Sequence, residues 1–207
     1  VLQVVADLGR TPVVIGHSMG AFLAERVLEQ SLASAGVLMS PVPPHGTLES
    51  AMNLLIRYPQ FLREVSRMTR GAFDSDGLRV LKEVYFTPAT RPEVVLRLAQ
   101  LVQPESLRAI CDMALLCWRW LPKVPDRPVL VVGGELDAVF PPHMVRRVAR
   151  RWQAELQIIP DAGHAMILDQ HWRACAACIV GWLERLEGPQ PMPVTRLEPE
   201  CALAASS

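Results

Sequence analysis

The chain has 207 residues, half of them apolar, with 21 basic and 21 acidic side chains and therefore no net charge. That length suffices for one well-buried domain, and the charge balance gives no electrostatic reason to expect nucleic acid or an anionic membrane surface as a partner. No apolar run approaches the roughly 20 residues of a membrane span, so stable membrane insertion is not expected.

The first residues read as the end of a helix, because Leu2, Val5 and Leu8 share a face and Gly9 supplies a stop. With Val1 in first place, the chain reads as lacking its upstream part, which leaves a signal peptide unjudged. Thr11 to Gly16 is an apolar run too short for a helix, suited to a parallel strand buried on both faces. It leads through Gly16-His17-Ser18-Met19-Gly20 into a helix from Met19 to about Gln30, with Glu25, Arg26 and Glu29 expected to face water. A sharp strand-to-helix turn strains its central residue and crowds the positions two before and two after it, which Gly16 and Gly20 occupy. Such a turn lifts the Ser18 hydroxyl to the sheet edge and aims the Met19 N–H at an oxyanion formed there; the plainer reading has Ser18 merely capping the helix.

Ala35 to Met39 is the next strand, ended by the proline-rich run from Ser40 to Gly46. From Thr47 to Pro122 every periodic segment has helical spacing. Leu48, Met52, Leu55 and Ile56 make one apolar face, and Phe61, Leu62, Val65 and Met68 a second. Leu78, Leu81, Val84 and Tyr85 make a third, then Val94, Val95, Leu98 and Leu101, then a segment from Pro104 to Trp118. This stretch reads as a helical insertion, either a lid over an apolar pocket or plain core. Alternation resumes with a strand over 128–134, a loop holding Glu135, Leu136 and Asp137, and a helix from about Pro141 to Trp152. A strand over 156–160, a loop 161–164 and a helix from Met166 to Leu186 follow. The tail from Gly188, with Pro189, Pro191, Pro193 and Pro199, is expected to be disordered. The chain thus divides into a core with the turn (1–46), a helical cap (47–122), the rest of the core (123–187) and the tail (188–207).

Ser18, Asp137 and His164 each fall just after the C-terminal end of an expected parallel strand, the edge of an open α/β sheet where ligands bind. Serine needs a base to attack a carbonyl, histidine is suited to take and return that proton, and a carboxylate would fix the imidazole tautomer. Glu135 is the other candidate for the acid.

The order Ser, Asp, His, the glycine-flanked serine, Gly133-Gly134-Glu135-Leu136-Asp137 and Gly163-His164 together resemble the α/β-hydrolase fold family over about Thr11 to Leu186. The fold class implied is α/β, the C-terminal half of an α/β-hydrolase parallel sheet (four strands), with an all-helical cap insertion. The resemblance makes Ser18 the nucleophile, Asp137 the acid in preference to Glu135, His164 the base and Met19 a backbone oxyanion donor. It implies hydrolysis of carboxylic esters, apolar or lipid-like, through an acyl-enzyme, with a small-molecule ester as partner and no cofactor or metal. The same residues would also serve acyl transfer, C–C hydrolysis, lyase or perhydrolase chemistry, and a non-catalytic binding protein is the reading of another class. Family sheets usually have eight strands, so the resemblance implies on the order of 80 upstream residues, at roughly 30 per βαβ unit, with the second oxyanion donor among them. A fragment lacking them is expected to be poorly active or inactive and to expose an apolar strand edge.

The remaining candidates carry plainer readings. His17 sits inside the turn without an assigned role, His45 lines the pocket or is simply solvated, His143 and His171 read as structural, and Asp161 as a loop residue. Cys175 and Cys178 match C-x-x-C but lie mid-helix, where a small-residue packing face is preferred to a redox or zinc role, with His171 one turn earlier. Five cysteines without disulfide-framework spacing suit a reducing compartment, and a cytoplasmic protein is expected.

Overall fold

Short apolar runs bounded by proline, glycine or serine can bury both faces of a strand, and two of the four strands here do so. The computed structural model describes residues 1–68, 74–101 and 124–186. Strands β1 (Val13–His17), β2 (Ala35–Met39), β3 (Val129–Gly134) and β4 (Glu155–Ile159) form one all-parallel sheet in the order β1-β2-β3-β4. The two inner strands are buried at every position, while the outer two are partly exposed.

Successive side chains of a strand point to opposite faces, and the two faces have separate cores. Leu38, Val129 and Val131 pack on one side with α2 (Met19–Glu29), through Ala21, Ala24 and Leu28, and with α7 (Pro142–Trp152), through Met144, Val145 and Trp152. Ala35, Val37, Met39, Leu130 and Val132 pack on the other with Cys175 and Trp182 of α8 (Trp172–Arg185). Before β1 lies α1 (Leu2–Asp7), followed by Gly9 at φ 61°, the stop expected from the sequence.

Between β2 and β3 run α3 (Leu48–Arg57), α4 (Phe61–Met68), α5 (Ser75–Tyr85) and α6 (Pro92–Leu101). Their apolar faces pack on one another and on the sheet-edge loops: Leu54, Phe61, Val80 and Val84 cluster with Val139, and Leu81, Phe86, Val95 and Ala99 with Ala165. The helix expected over 104–118 and the disordered tail from 188 lie outside the described residues.

Three expectations change. The face of α3 is rotated: Leu48, Met52, Leu55 and Ile56 are 59, 50, 40 and 74% exposed, while Ser50 and Leu54 are buried. The cause is that Ser50 Oγ donates to the Val139 carbonyl at 2.6 Å, so a hydrogen bond, with Leu54 beside it, sets the rotation. The last helix starts at Trp172, six residues later than its apolar spacing suggests, because Asp169 Oδ1 accepts from His171 N (2.9 Å) and Nδ1 (3.0 Å) while Oδ2 accepts from Thr90 Oγ1 at 3.3 Å. A side chain that offers the backbone such bonds competes with helix.

Glu25, expected in water, is 6% exposed on α2, and its Oε1 accepts a 2.8 Å hydrogen bond from Trp152 Nε1 of α7. Burial pushes its pKa up to about 7, against the opposing pull of Trp152 and Arg26. A carboxyl bound more tightly to its proton in the folded state stabilises the fold below its unfolded pKa near 4.5, and that contribution is lost as pH rises through about 7. Glu25→Gln keeps an acceptor for Trp152 without the charge. It is expected to raise stability by on the order of 3 kcal/mol at pH 8, and by much less at pH 4.5. Urea midpoints at the two pH values check this; an equal gain at both would disprove it.

Candidate functional site

The turn between β1 and α2 carries Ser18 at φ 55°, ψ −119°, a left-handed conformation costing a non-glycine residue of order 1–3 kcal/mol. The strain is held by the sheet, since Ser18 N–H donates to Met39 O of β2 at 2.9 Å. A Cβ on Gly16 would stand 2.2 Å from the Gly20 carbonyl oxygen, so glycine is obligatory there. One on Gly20 meets nothing within 4 Å, which corrects the expectation that both glycines are needed for the same reason. Met19 follows in the first turn of α2, where backbone N–H groups have no intrahelical acceptor.

Ser18, His164 and Asp137 come together at the C-terminal edge of the sheet. His164 Nε2 lies 3.0 Å from Ser18 Oγ, and Nδ1 lies 2.9 Å from Asp137 Oδ2 and 3.2 Å from Oδ1. Asp137 Oδ1 also accepts from the backbone N–H groups of Val139 and Phe140, both at 2.8 Å. Asp137 and His164 are each 3% exposed. Burial alone would raise the Asp137 pKa; the facing charge of His164 and the hydrogen bonds from His164 and Phe140 outweigh it and hold the carboxyl below its usual range. Nearby, Ser40 is fully buried at φ 39° and favours the ionised carboxylate, although its hydroxyl has no hydrogen bond of normal geometry.

Glycines let the loops close. A Cβ on Gly134 would approach the Ala162 carbonyl oxygen to 2.4 Å, where the acid strand passes the histidine loop. One on Gly163 would press on Tyr85 and Phe86 at 3.0 Å, where that loop meets the end of α5. Ala165 N donates to Tyr85 O at 2.7 Å, and the Tyr85 and Phe140 rings stand edge-on to the His164 ring, with centroids 5.6 and 5.5 Å away.

Glu135 lies apart from this line: its Oε2 accepts from Asp161 N at 3.1 Å, bracing the histidine loop from outside. His45 is exposed on the turn after β2. His143 pairs with Glu49 of α3 at 3.1 Å, and His171 with Asp169. Cys175 is buried in the core under α8, which raises its thiol pKa to about 11, and burial raises that of Cys178 as well, so both behave as packing residues. Among the described residues no group of three metal-ligating side chains occurs, and no helix is long and apolar enough to cross a membrane.

Sequence reasoning missed His17. Its Nε2 donates to the His164 backbone carbonyl at 2.8 Å, and the two imidazole rings stand 5.0 Å apart. Burial first, then the charge of His164, pull its pKa down to about 4, though the bond to the carbonyl works the other way. Nothing in the residue pattern signals this contact, which joins positions 147 apart in sequence.

An α/β protein with a parallel sheet thus carries a strained serine at a strand-to-helix turn and a buried His–Asp pair at the same edge. The profile described as the alpha/beta hydrolase family matches residues 1–178, and the chain belongs to that family. Solved structures resemble it at low identity. A Mycobacterium tuberculosis H37Rv protein provisionally assigned as a non-heme bromoperoxidase, BpoC, is 22% identical with a TM-score of 0.67, over 90% of this chain and 72% of that one. An esterase from Exiguobacterium antarcticum is 17% identical (TM-score 0.64; 88% and 70%), and a monoacylglycerol lipase from Paleococcus ferrophilus 21% identical (0.57; 87% and 71%). At these identities the likeness establishes the fold. No curated protein matches the chain in sequence.

Proposed function

We propose that this chain carries the site of a serine hydrolase acting on carboxylic esters with apolar acyl groups. The observation that supports it most is the line Asp137–His164–Ser18, closed at 2.9 and 3.0 Å in a buried setting. Ser18 Oγ attacks the ester carbonyl carbon while His164 Nε2 takes the hydroxyl proton, and the resulting imidazolium is stabilised by Asp137. The oxyanion receives the Met19 N–H. Collapse expels the alkoxide, which leaves as alcohol with the proton from His164; water then attacks the acyl-enzyme, giving its proton to His164, and Ser18 departs with that proton as the acid is released.

An apolar substrate is supported by the Tyr85 and Phe140 rings flanking His164 and by Met19, 40% exposed beside Ser18. α3 and α5 brace the loops of the site: Ser50 holds the acid loop and Tyr85 the histidine loop. p-Nitrophenyl esters of graded chain length test the proposal. The expected result is a burst of one nitrophenolate per chain followed by slower turnover, with kcat/KM rising at least about tenfold from acetyl to medium acyl chains, since each buried CH₂ contributes about 0.8 kcal/mol. Turnover without preference for longer chains would remove the apolar part of the proposal, and no turnover together with no covalent labelling of Ser18 by a fluorophosphonate would remove the whole.

A further inference from the structure

His17 is not one of the three side chains of the proposed site, yet it joins the two that must react. The histidine loop follows β4, three strands from β1, so His164 must reach across the ends of β2 and β3 to meet Ser18. Three anchors hold it there. Asp137 holds its ring, the Tyr85 carbonyl holds the N–H of the next residue, and His17 Nε2 holds its own carbonyl at 2.8 Å. Of these anchors the His17 bond alone comes from the strand that leads directly into Ser18. It stands beside the Ser18–His164 contact, with the His17 and His164 rings 5.0 Å apart.

The Ser18–His164 bond cannot last through the proposed reaction. Once Ser18 Oγ is bonded to an acyl carbon it has no proton to donate, and His164 must remain in place to activate water. We infer that His17 is a positioning residue that keeps His164 in register with the nucleophile while the acyl-enzyme exists, and so supports deacylation more than acylation. This rests on the acyl-enzyme reading above.

The chemistry of the side chain suits the task. Its partner is a carbonyl, so Nε2 must carry hydrogen. With its pKa pulled down to about 4, the ring is neutral near pH 7, and it adds no positive charge against the imidazolium that forms 5.0 Å away.

Two variants separate donor from ring. His17→Phe keeps an aromatic ring beside His164 and removes the Nε2 donor; His17→Gln keeps an N–H donor of similar reach. With p-nitrophenyl acetate, His17→Phe is expected to leave the burst rate constant within about threefold while steady-state turnover falls roughly tenfold to a hundredfold, the range that a misplacement of about 1 Å commands. The acyl-enzyme then accumulates and is visible by intact mass, and His17→Gln recovers most of the loss. Burst and steady state falling together, or Gln as impaired as Phe, overturns the inference. Amide hydrogen exchange at Ala165 and Met166 reads the same tether without any substrate. It is expected to speed up by about tenfold or more in the Phe variant but not in the Gln variant, and unchanged exchange in both also overturns the inference. A wild-type protein that neither turns over an ester nor takes a fluorophosphonate at Ser18 would sink the proposed hydrolase function, while the exchange experiment still decides whether His17 holds the loop.

Discussion

Ser18→Ala is expected to abolish covalent labelling by a fluorophosphonate and to lower ester turnover by about 10⁴-fold or more, the size of loss seen when the nucleophile of such a unit is removed. The effect should be purely chemical, because the residue's structural burden is its backbone. Ser18 N–H bonds to Met39 O and its carbonyl accepts from Ala21 N, and neither involves the hydroxyl. The variant should therefore fold. Relief of the hydroxyl's local demands does not relieve the left-handed φ of 55°, so a stability within about 1 kcal/mol of the parent is expected. Retained labelling in the alanine variant would place the nucleophile elsewhere. Labelling of the parent at Ser18 alone, located by peptide mass, is the positive form of the same test.

Asp137→Asn against Glu135→Gln should give the second-largest contrast. Asparagine at 137 has nearly the same shape, yet its amide cannot serve as the anionic acceptor for His164 Nδ1–H. The imidazole then takes the wrong tautomer and loses stabilisation of its charged form, for about a 10⁴-fold fall in turnover. The loss extends to stability as a function of pH. The Asp137 pKa is lowered, so its stabilising contribution is present above the ordinary carboxylate range and disappears as pH falls through the lowered value. The asparagine variant should lack that acid-side slope. Glu135→Gln, by contrast, keeps an oxygen to accept from Asp161 N and is expected to lower turnover by less than about threefold. Equal losses in both variants, read from kcat/KM at matched stability, would return the choice of acid to an open question.

Much of the fold was legible because its signals are local. The four strands fall within two residues of the apolar runs that announce them, since the fully buried inner strands are apolar throughout and the outer two still carry apolar residues toward the core. Ser18, Asp137 and His164 were legible because each follows such a strand, and parallel strands deliver their C-terminal ends to one edge. Choosing Asp137 over Glu135 rested on a family resemblance; in the structure Asp137 is the carboxylate bonded to His164, and Glu135 Oε2 accepts from the Asp161 amide.

What the residue pattern misjudged lies where side chains from distant segments compete. The α3 face read as apolar-inward is turned by the bond from Ser50 to Val139, 89 positions away. Glu25 reads as a solvated charge on α2 but is drawn under Trp152, 127 positions away. Helical periodicity in 166–171 lost to the buried Asp169 carboxylate, whose partners include Thr90 between α5 and α6.

The sequence by itself determined the strand and helix alternation, the glycine-flanked serine and the order of the three polar residues, because these depend on backbone sterics and nearest-neighbour spacing. Tertiary structure alone decided which carboxylate faces His164, why Gly16 is obligatory and Gly20 is not, how α3 and α5 brace the acid and histidine loops, and that His17 holds the His164 carbonyl. Each of those is a contact between loops brought to one sheet edge from far apart in the chain, and no local pattern encodes a distance that only the closed fold defines.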